Sequence, residues 1–144
     1  MRKLITILLL LIVTAACVNN QVISKKKNLS ISFNCCFKYD RVSLYINDFE
    51  IFKDLELVSD QILSITPVYV LYSRDGLFTI YNNSEIIDQK ELKLTNKLIK
   101  ITVEINGQKT IEEIDLSKGQ INIDGTGAEN RAIIKQHKKL MILD

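Results

Sequence analysis

Residues Arg41-Val-Ser-Leu-Tyr-Ile-Asn-Asp-Phe-Glu-Ile-Phe52 alternate apolar and polar side chains on either side of Asn47-Asp48. A period of two marks a half-buried strand, and Asn-Asp suits the left-handed backbone of a two-residue type I′ turn. Such a turn would set Ile46 opposite Phe49 and Leu44 opposite Ile51. Val42, Leu44, Ile46, Phe49 and Ile51 would then share one face. The pattern returns in Lys100-Ile-Thr-Val-Glu-Ile-Asn-Gly-Gln-Lys109, where Asn106-Gly107 is the strongest short hairpin signal in the chain. Here Ile99, Ile101, Val103 and Ile105 line one face, and Glu104 lies opposite Lys109 on the other. That cross-strand ion pair is worth roughly a few tenths of a kcal/mol. A third hairpin over Phe78–Ile87 is expected to turn at Asn82-Asn83.

The first two hairpins align with each other at an offset of 59 residues. Ile46-Asn47-Asp48 matches Ile105-Asn106-Gly107, Leu57 matches Leu116, and Gln61-Ile62 matches Gln120-Ile121. Internal duplication is one explanation. Convergence demands less, since two turns of this kind with alternating flanks look alike.

Outward from these units, Thr66-Pro-Val-Tyr-Val-Leu-Tyr72 is apolar on both faces and reads as a central strand, with Pro67 tolerated at its start. Arg74-Asp75-Gly76 turns it into Leu77–Tyr81. Glu112-Glu113 interrupts the alternation and predicts a β-bulge or the end of pairing. Gly119–Asp124, Arg131–Lys135 and Lys138–Leu143 read as three more short strands, with Asp124–Asn130 a loop between the first two. A helix competes only over Glu85–Leu94, and Leu92 and Leu94 return that stretch to strand. The expectation is an all-β domain over residues 29–144, an antiparallel β-sandwich of about nine or ten strands. An up-and-down meander barrel is the alternative.

Composition narrows the function. The 144 residues are 47% hydrophobic and 25% charged, as in an ordinary globular chain rather than a disordered or fibrous one. The formal charge of +2 includes Arg2 and Lys3, and without them 17 basic side chains face 17 acidic ones. A neutral domain has no electrostatic footprint for nucleic acid.

The N-terminus carries an address. Met1-Arg-Lys3 is a positive head, Leu4–Val13 an apolar run, and Thr14-Ala-Ala-Cys17 a small-residue end, which together read as a signal peptide over residues 1–16. The run is too short for the roughly 20 residues of a membrane span. Val13-Thr14-Ala15-Ala16-Cys17 resembles the lipobox of bacterial lipoproteins, usually Leu-(Ala/Ser/Thr)-(Gly/Ala)-Cys, with Thr14 in the leucine position. The resemblance covers these residues and not the domain. It implies cleavage between Ala16 and Cys17, a diacylglycerol on the Cys17 thiol and an acyl group such as palmitate on the new amine. Val18, rather than aspartate, after the cysteine resembles the outer-membrane default of enterobacterial sorting. Cleavage by general signal peptidase after Ala15 or Ala16 would instead leave a soluble exported protein. Residues 17–28 then form the lipidated terminus and a tether reaching at most about 35 Å. Its Lys25, Lys26 and Lys27 could touch anionic lipid, although a solvated linker is the simpler reading.

No catalytic set emerges. His137, the single histidine, sits among cations in what reads as a turn, a poor base for a serine or cysteine nucleophile. One histidine and no Cys-x-x-Cys spacing leave no zinc or copper ligand set, and no cofactor motif is present. The carboxylate pairs Asp40/Asp48 and Glu112/Glu113 carry nothing that singles out either for glycosidase chemistry. The Asp124–Asn130 loop has oxygen ligands without the Asp-x-Asp spacing of dedicated calcium sites. Five tyrosines without a tryptophan make a weak sugar platform, although Tyr45 points away from the Leu44/Ile46 face. Asn28-Leu-Ser30 and Asn82-Asn-Ser84 match the N-glycosylation pattern, which the bacterial-type N-terminus makes incidental.

Cys35-Cys36 is the oddest local feature. Adjacent strand residues point to opposite faces, so both cannot enter one core. With lipid on Cys17, an oxidising compartment would allow a vicinal disulfide that breaks the strand. Two reduced cysteines or a bridge to another chain are the other readings. The expected protein is therefore a non-catalytic envelope lipoprotein, held to the membrane through Cys17 and binding an envelope protein or surface ligand. A small periplasmic inhibitor or immunity lipoprotein and a small envelope hydrolase are the alternatives. Ser73-Arg74-Asp75-Gly76 does not fit the Ser-Gly-x-x-Tyr loop of lipoprotein lysozyme inhibitors.

Overall fold

Strand forms wherever the alternation runs. The computed structural model describes residues 27–137, with side-chain surroundings from residue 29. The expected signal peptide with Ala16, the expected lipidation site Cys17, most of the expected tether and the expected strand Lys138–Leu143 lie outside the described residues. Ten strands follow one another: β1 (Lys27–Phe33), β2 (Lys38–Ile46), β3 (Phe49–Val58), β4 (Val68–Ser73), β5 (Leu77–Asn82), β6 (Glu85–Glu91), β7 (Leu98–Ile105), β8 (Gln108–Asp115), β9 (Gln120–Gly125) and β10 (Ala132–His137). They make a six-stranded sheet, β10-β9-β1-β4-β5-β6, and a four-stranded sheet, β3-β2-β7-β8. The two pack face to face as a β-sandwich and do not close into a barrel. One core results, with Leu29, Ile31, Val70, Phe78, Ile80, Ile121 and Ile123 from the larger sheet against Val42, Leu44, Ile46, Ile51, Ile101 and Val103 from the smaller. Phe33 crosses between them, edge-on to Phe52 at 5.6 Å.

Two sides of the sandwich differ. β8 and β10, edge strands of different sheets, are stitched by side chains: Gln136 Nε2 donates to the Asp115 carbonyl at 2.5 Å and Ala132 N donates to Thr110 Oγ1 at 3.1 Å. On the other side β6 overhangs, and none of its side chains is buried.

The two aligned hairpins lie side by side in the smaller sheet, related by a local two-fold through the facing pair Leu44 and Val103. Each turn asparagine caps the neighbouring hairpin. Asn47 N donates to the Lys100 carbonyl at 2.8 Å, and Lys100 N donates to Asn47 Oδ1 at 2.9 Å. Asn106 N donates to the Arg41 carbonyl at 2.9 Å, and Arg41 N donates to Asn106 Oδ1 at 2.9 Å. Asn47 and Asn106 have positive φ, +48° and +49°, which asparagine tolerates better than most residues. The likeness stops with the hairpins, because Gln61-Ile62 lies in a loop while Gln120-Ile121 opens β9.

Several expectations need correction. β3 bulges, so Leu44 faces Phe52 rather than Ile51, and both Ile51 and Phe52 turn inward. Phe49, next to the turn of an edge strand, is 39% exposed. The third turn falls one residue later, at Asn83-Ser84, because these two take the left-handed backbone that pairs Asn82 with Glu85. β8 runs unbroken through Glu112-Glu113, opposite Ile101 and Lys100, since an edge strand tolerates exposed charge on either face. His137 is the last residue of β10, paired with Gln120, and not part of a turn. Tyr45 is half-buried. Thr66–Tyr72 does supply the central strand, β4 between β1 and β5, and Lys109 reaches Glu104 at 3.6 Å.

Asn106 also donates to Asp40 Oδ1 and Asn130 Oδ1, both at 2.8 Å, so its replacement should cost more than that of Asn47. Asn106→Gly, which keeps the backbone conformation, is expected to lower urea stability by about 1–2 kcal/mol. Asn106→Ala adds the left-handed penalty of about 1–2 kcal/mol and should lower it further. Asn47→Gly should cost less than Asn106→Gly in the same titration.

Candidate functional site

Strands that reverse at every connection sort the loops by end. The connections after β1, β3, β5, β7 and β9 gather at the end where β1 finishes, about 20 Å from where it begins at the usual rise per residue. His137 and the Asp48 turn lie at the opposite, proximal end. At the distal end the β1–β2 connection, Asn34-Cys-Cys-Phe37, meets the β3–β4 connection, Ser59–Pro67.

Ser59 joins them. Its Oγ donates to the Asn34 carbonyl at 2.7 Å and accepts from Phe37 N at 3.0 Å, while its own N donates to the Phe37 carbonyl at 3.0 Å. Cys35 and Cys36 sit between these anchors, paired as a disulfide across one peptide bond with Cα atoms 3.7 Å apart. Cys36 is exposed and has φ +79°. Gly125 N donates to the Cys35 carbonyl at 2.9 Å. A Cβ at Gly125 would stand 3.3 Å from the Cys36 carbonyl and from the Phe37 ring, so a side chain there would push the loop or the ring by a few tenths of an ångström.

Asp60 shapes the second loop. Its Oδ1 accepts from Ile62 N at 2.8 Å and Leu63 N at 2.7 Å. Asp60 N donates to the Ile65 carbonyl, and Ser64 N donates to the Asp60 carbonyl. The Leu63 and then the Ile62 amide hold the carboxyl below its ordinary value of 3.8. The tight loop leaves Ile62 91%, Leu63 67% and Ile65 47% exposed. Between the two connections runs a groove of about 790 Å³, lined by Cys35, Cys36, Tyr39, Val58, Asp60 and Ser64 among others. Tyr39 stands at its margin, 73% exposed.

The other candidates are dispersed. Asp40 is buried at the distal end, holding Lys38 N and Asn106, whereas Asp48 is in the proximal turn on Lys100 at 2.6 Å. Glu112 and Glu113 are exposed neighbours on opposite faces of β8. In the Asp124–Asn130 loop Asp124 pairs with Lys135 at 3.2 Å and Asn130 accepts from Asn106. Among the described residues no cluster of three or more His, Cys, Asp or Glu could hold a metal ion. Tyr69 and Tyr81 stack on each other at 4.7 Å, and the Tyr72 hydroxyl accepts from Leu94 N. The apolar loop escaped the sequence reading because Ile62, Leu63 and Ile65 follow neither strand nor helix period. Its signal is Asp60 placed two and three residues before the amides it accepts.

No known protein family, curated protein or solved structure matches the chain.

Two outcomes follow from this geometry. Gly125→Ala should lower stability by about 1–3 kcal/mol, the usual cost of overpacking, seen as a lower urea midpoint. The lowered Asp60 pKa means that its contribution is full above 3.8 and is lost as pH falls through the folded value. Amide exchange at Ile62 and Leu63, corrected for intrinsic pH dependence, should therefore rise on acidification below that range. In Asp60→Ala it should be fast throughout, with no pH step.

Proposed function

We propose that the chain is a bacterial cell-envelope lipoprotein, anchored through lipid on Cys17, whose β-sandwich is a non-catalytic module that binds another envelope protein. The observation that carries this reading is the loop with Ile62, Leu63 and Ile65 exposed. It stands at the end of the sandwich remote from where β1 begins. A loop already fixed by Asp60 loses little conformational freedom on docking, which favours insertion into an apolar cleft of a partner. Inhibition of a partner enzyme by such insertion is the special case that the same loop supports.

A lipid surface is the competing target. Recognition of anionic lipid uses clusters of about 4–8 Lys or Arg. Lys38 and Asp60, of opposite charge, line the groove beside the loop instead.

The anchor is tested by intact mass of the full chain from a bacterial membrane fraction. The expected product starts at Cys17 with added acyl mass, and Cys17→Ser should move the protein to the soluble fraction. A soluble wild-type chain cut before residue 17 would refute the lipoprotein. For the surface, Ile62→Asp with Leu63→Asp should leave the urea midpoint nearly unchanged, because both side chains are exposed, and should abolish cross-linking to the envelope partner. Loss of vesicle binding by that variant, with cross-linking intact, would replace the protein partner by lipid.

A further inference from the structure

The Cys35–Cys36 bridge contributes little as a staple. Disulfide stabilisation grows with the length of chain enclosed, and this one encloses a single peptide bond. It also stands where a reductant can reach it, with Cys36 exposed and both cysteines lining the distal groove. The reduced chain would no longer need Cys36 at φ +79°, a backbone that L side chains seldom adopt. The residues on both sides of the pair, Asn34 and Phe37, are bonded to Ser59, and Ser59 directly precedes the aspartate that orders the apolar loop.

We propose that Cys35 and Cys36 form a reversible thiol–disulfide site, entered by thiol reductants through the groove, whose redox state sets the order of the Asp60–Ile65 loop. Its consequence for partner binding rests on the reading given above, but the switch itself does not. The attacking thiolate of a reductant RSH bonds to the accessible Cys36 sulfur, the Cys35–Cys36 bond breaks, and Cys35 leaves as thiolate and takes up a proton. A second RSH then attacks the reductant's sulfur in the mixed disulfide, releasing RSSR and the Cys36 thiol. Two electrons pass from two thiols to one disulfide. Lys38 lines the same groove, and a cation there favours the thiolates of the open form. With the pair open, the Cys36 backbone can leave the left-handed region, and the Asn34 and Phe37 bonds that hold Ser59 loosen with it.

The test uses the full chain carrying Cys17→Ser, which leaves Cys35 and Cys36 as its only thiols. Mixtures of reduced and oxidised glutathione should interconvert a form with no alkylatable thiol and a form with two, two mass units apart before alkylation. Amide exchange at Phe37, Ile62 and Leu63 should be at least tenfold faster in the reduced form, with the β2 and β7 amides unchanged. A Cys35→Ser, Cys36→Ser double variant should match the reduced form under both conditions. Two free thiols that oxidised glutathione fails to close would overturn the proposal. So would a reduced form whose Ile62 and Leu63 exchange is unaltered. Neither readout needs a partner, so loss of cross-linking in the Ile62→Asp, Leu63→Asp chain bears on the binding reading alone.

Discussion

The antiparallel pairing of β2 with β7 is the constraint on which the smaller sheet depends. Five consecutive pairs run from Val42 opposite Ile105 to Ile46 opposite Ile101. Asn47 closes the ladder at one end and Asn106 at the other, each giving a backbone and a side-chain bond to the opposite hairpin. These turn residues supply the left-handed backbone that makes each hairpin and also fix how the hairpins pair. A one-residue slip would break four hydrogen bonds and turn Leu44 and Val103 out of the core. The register that the core requires and the register that the turns require are the same, which is what consistency between local and global structure means.

The site depends on this register. Asn106 reaches Asp40 and Asn130 from its cap, so the β7–β8 turn also holds the base of β2 and the β9–β10 loop. β2 starts just after the cysteines, and β9 ends at Gly125 beneath them. The distal loops therefore rest on ordered strand ends, with Ser59 as the junction between the two connections that border the groove. Loops held in this way keep their side chains placed while their tips stay solvent-exposed.

The sandwich, the Asn-Gly turn and the central strand β4 were legible because apolar alternation and turn chemistry are local. The Leu44–Phe52 register was not, since a bulge changes which side chains face inward without changing composition. The course of β8 through Glu112-Glu113 was misread because alternation reports burial, whereas an edge strand can stay paired while exposed. The distal site was legible only in part. Cys35-Cys36 stands out in the sequence, but its link to residues 60–65 runs through Ser59, 23 positions beyond Cys36, and only the folded chain brings them together.

Exposed apolar residues elsewhere sharpen the contrast with the distal loop. β6 exposes Ile86 and Ile87, yet they sit at a register shift and are flanked by Glu85, Asp88 and Lys90. Irregular pairing and charge are how sheet edges avoid pairing with other chains. The segment Gln61-Ile-Leu-Ser-Ile-Thr66 has no charge and no irregular ladder to guard it. It has instead an aspartate that fixes its backbone and raises its apolar side chains into solvent. Leaving Ile62 in water forfeits about 1.5–3 kcal/mol that burial would return, and the Asp60 bonds to the Ile62 and Leu63 amides keep the loop in the arrangement that leaves it there.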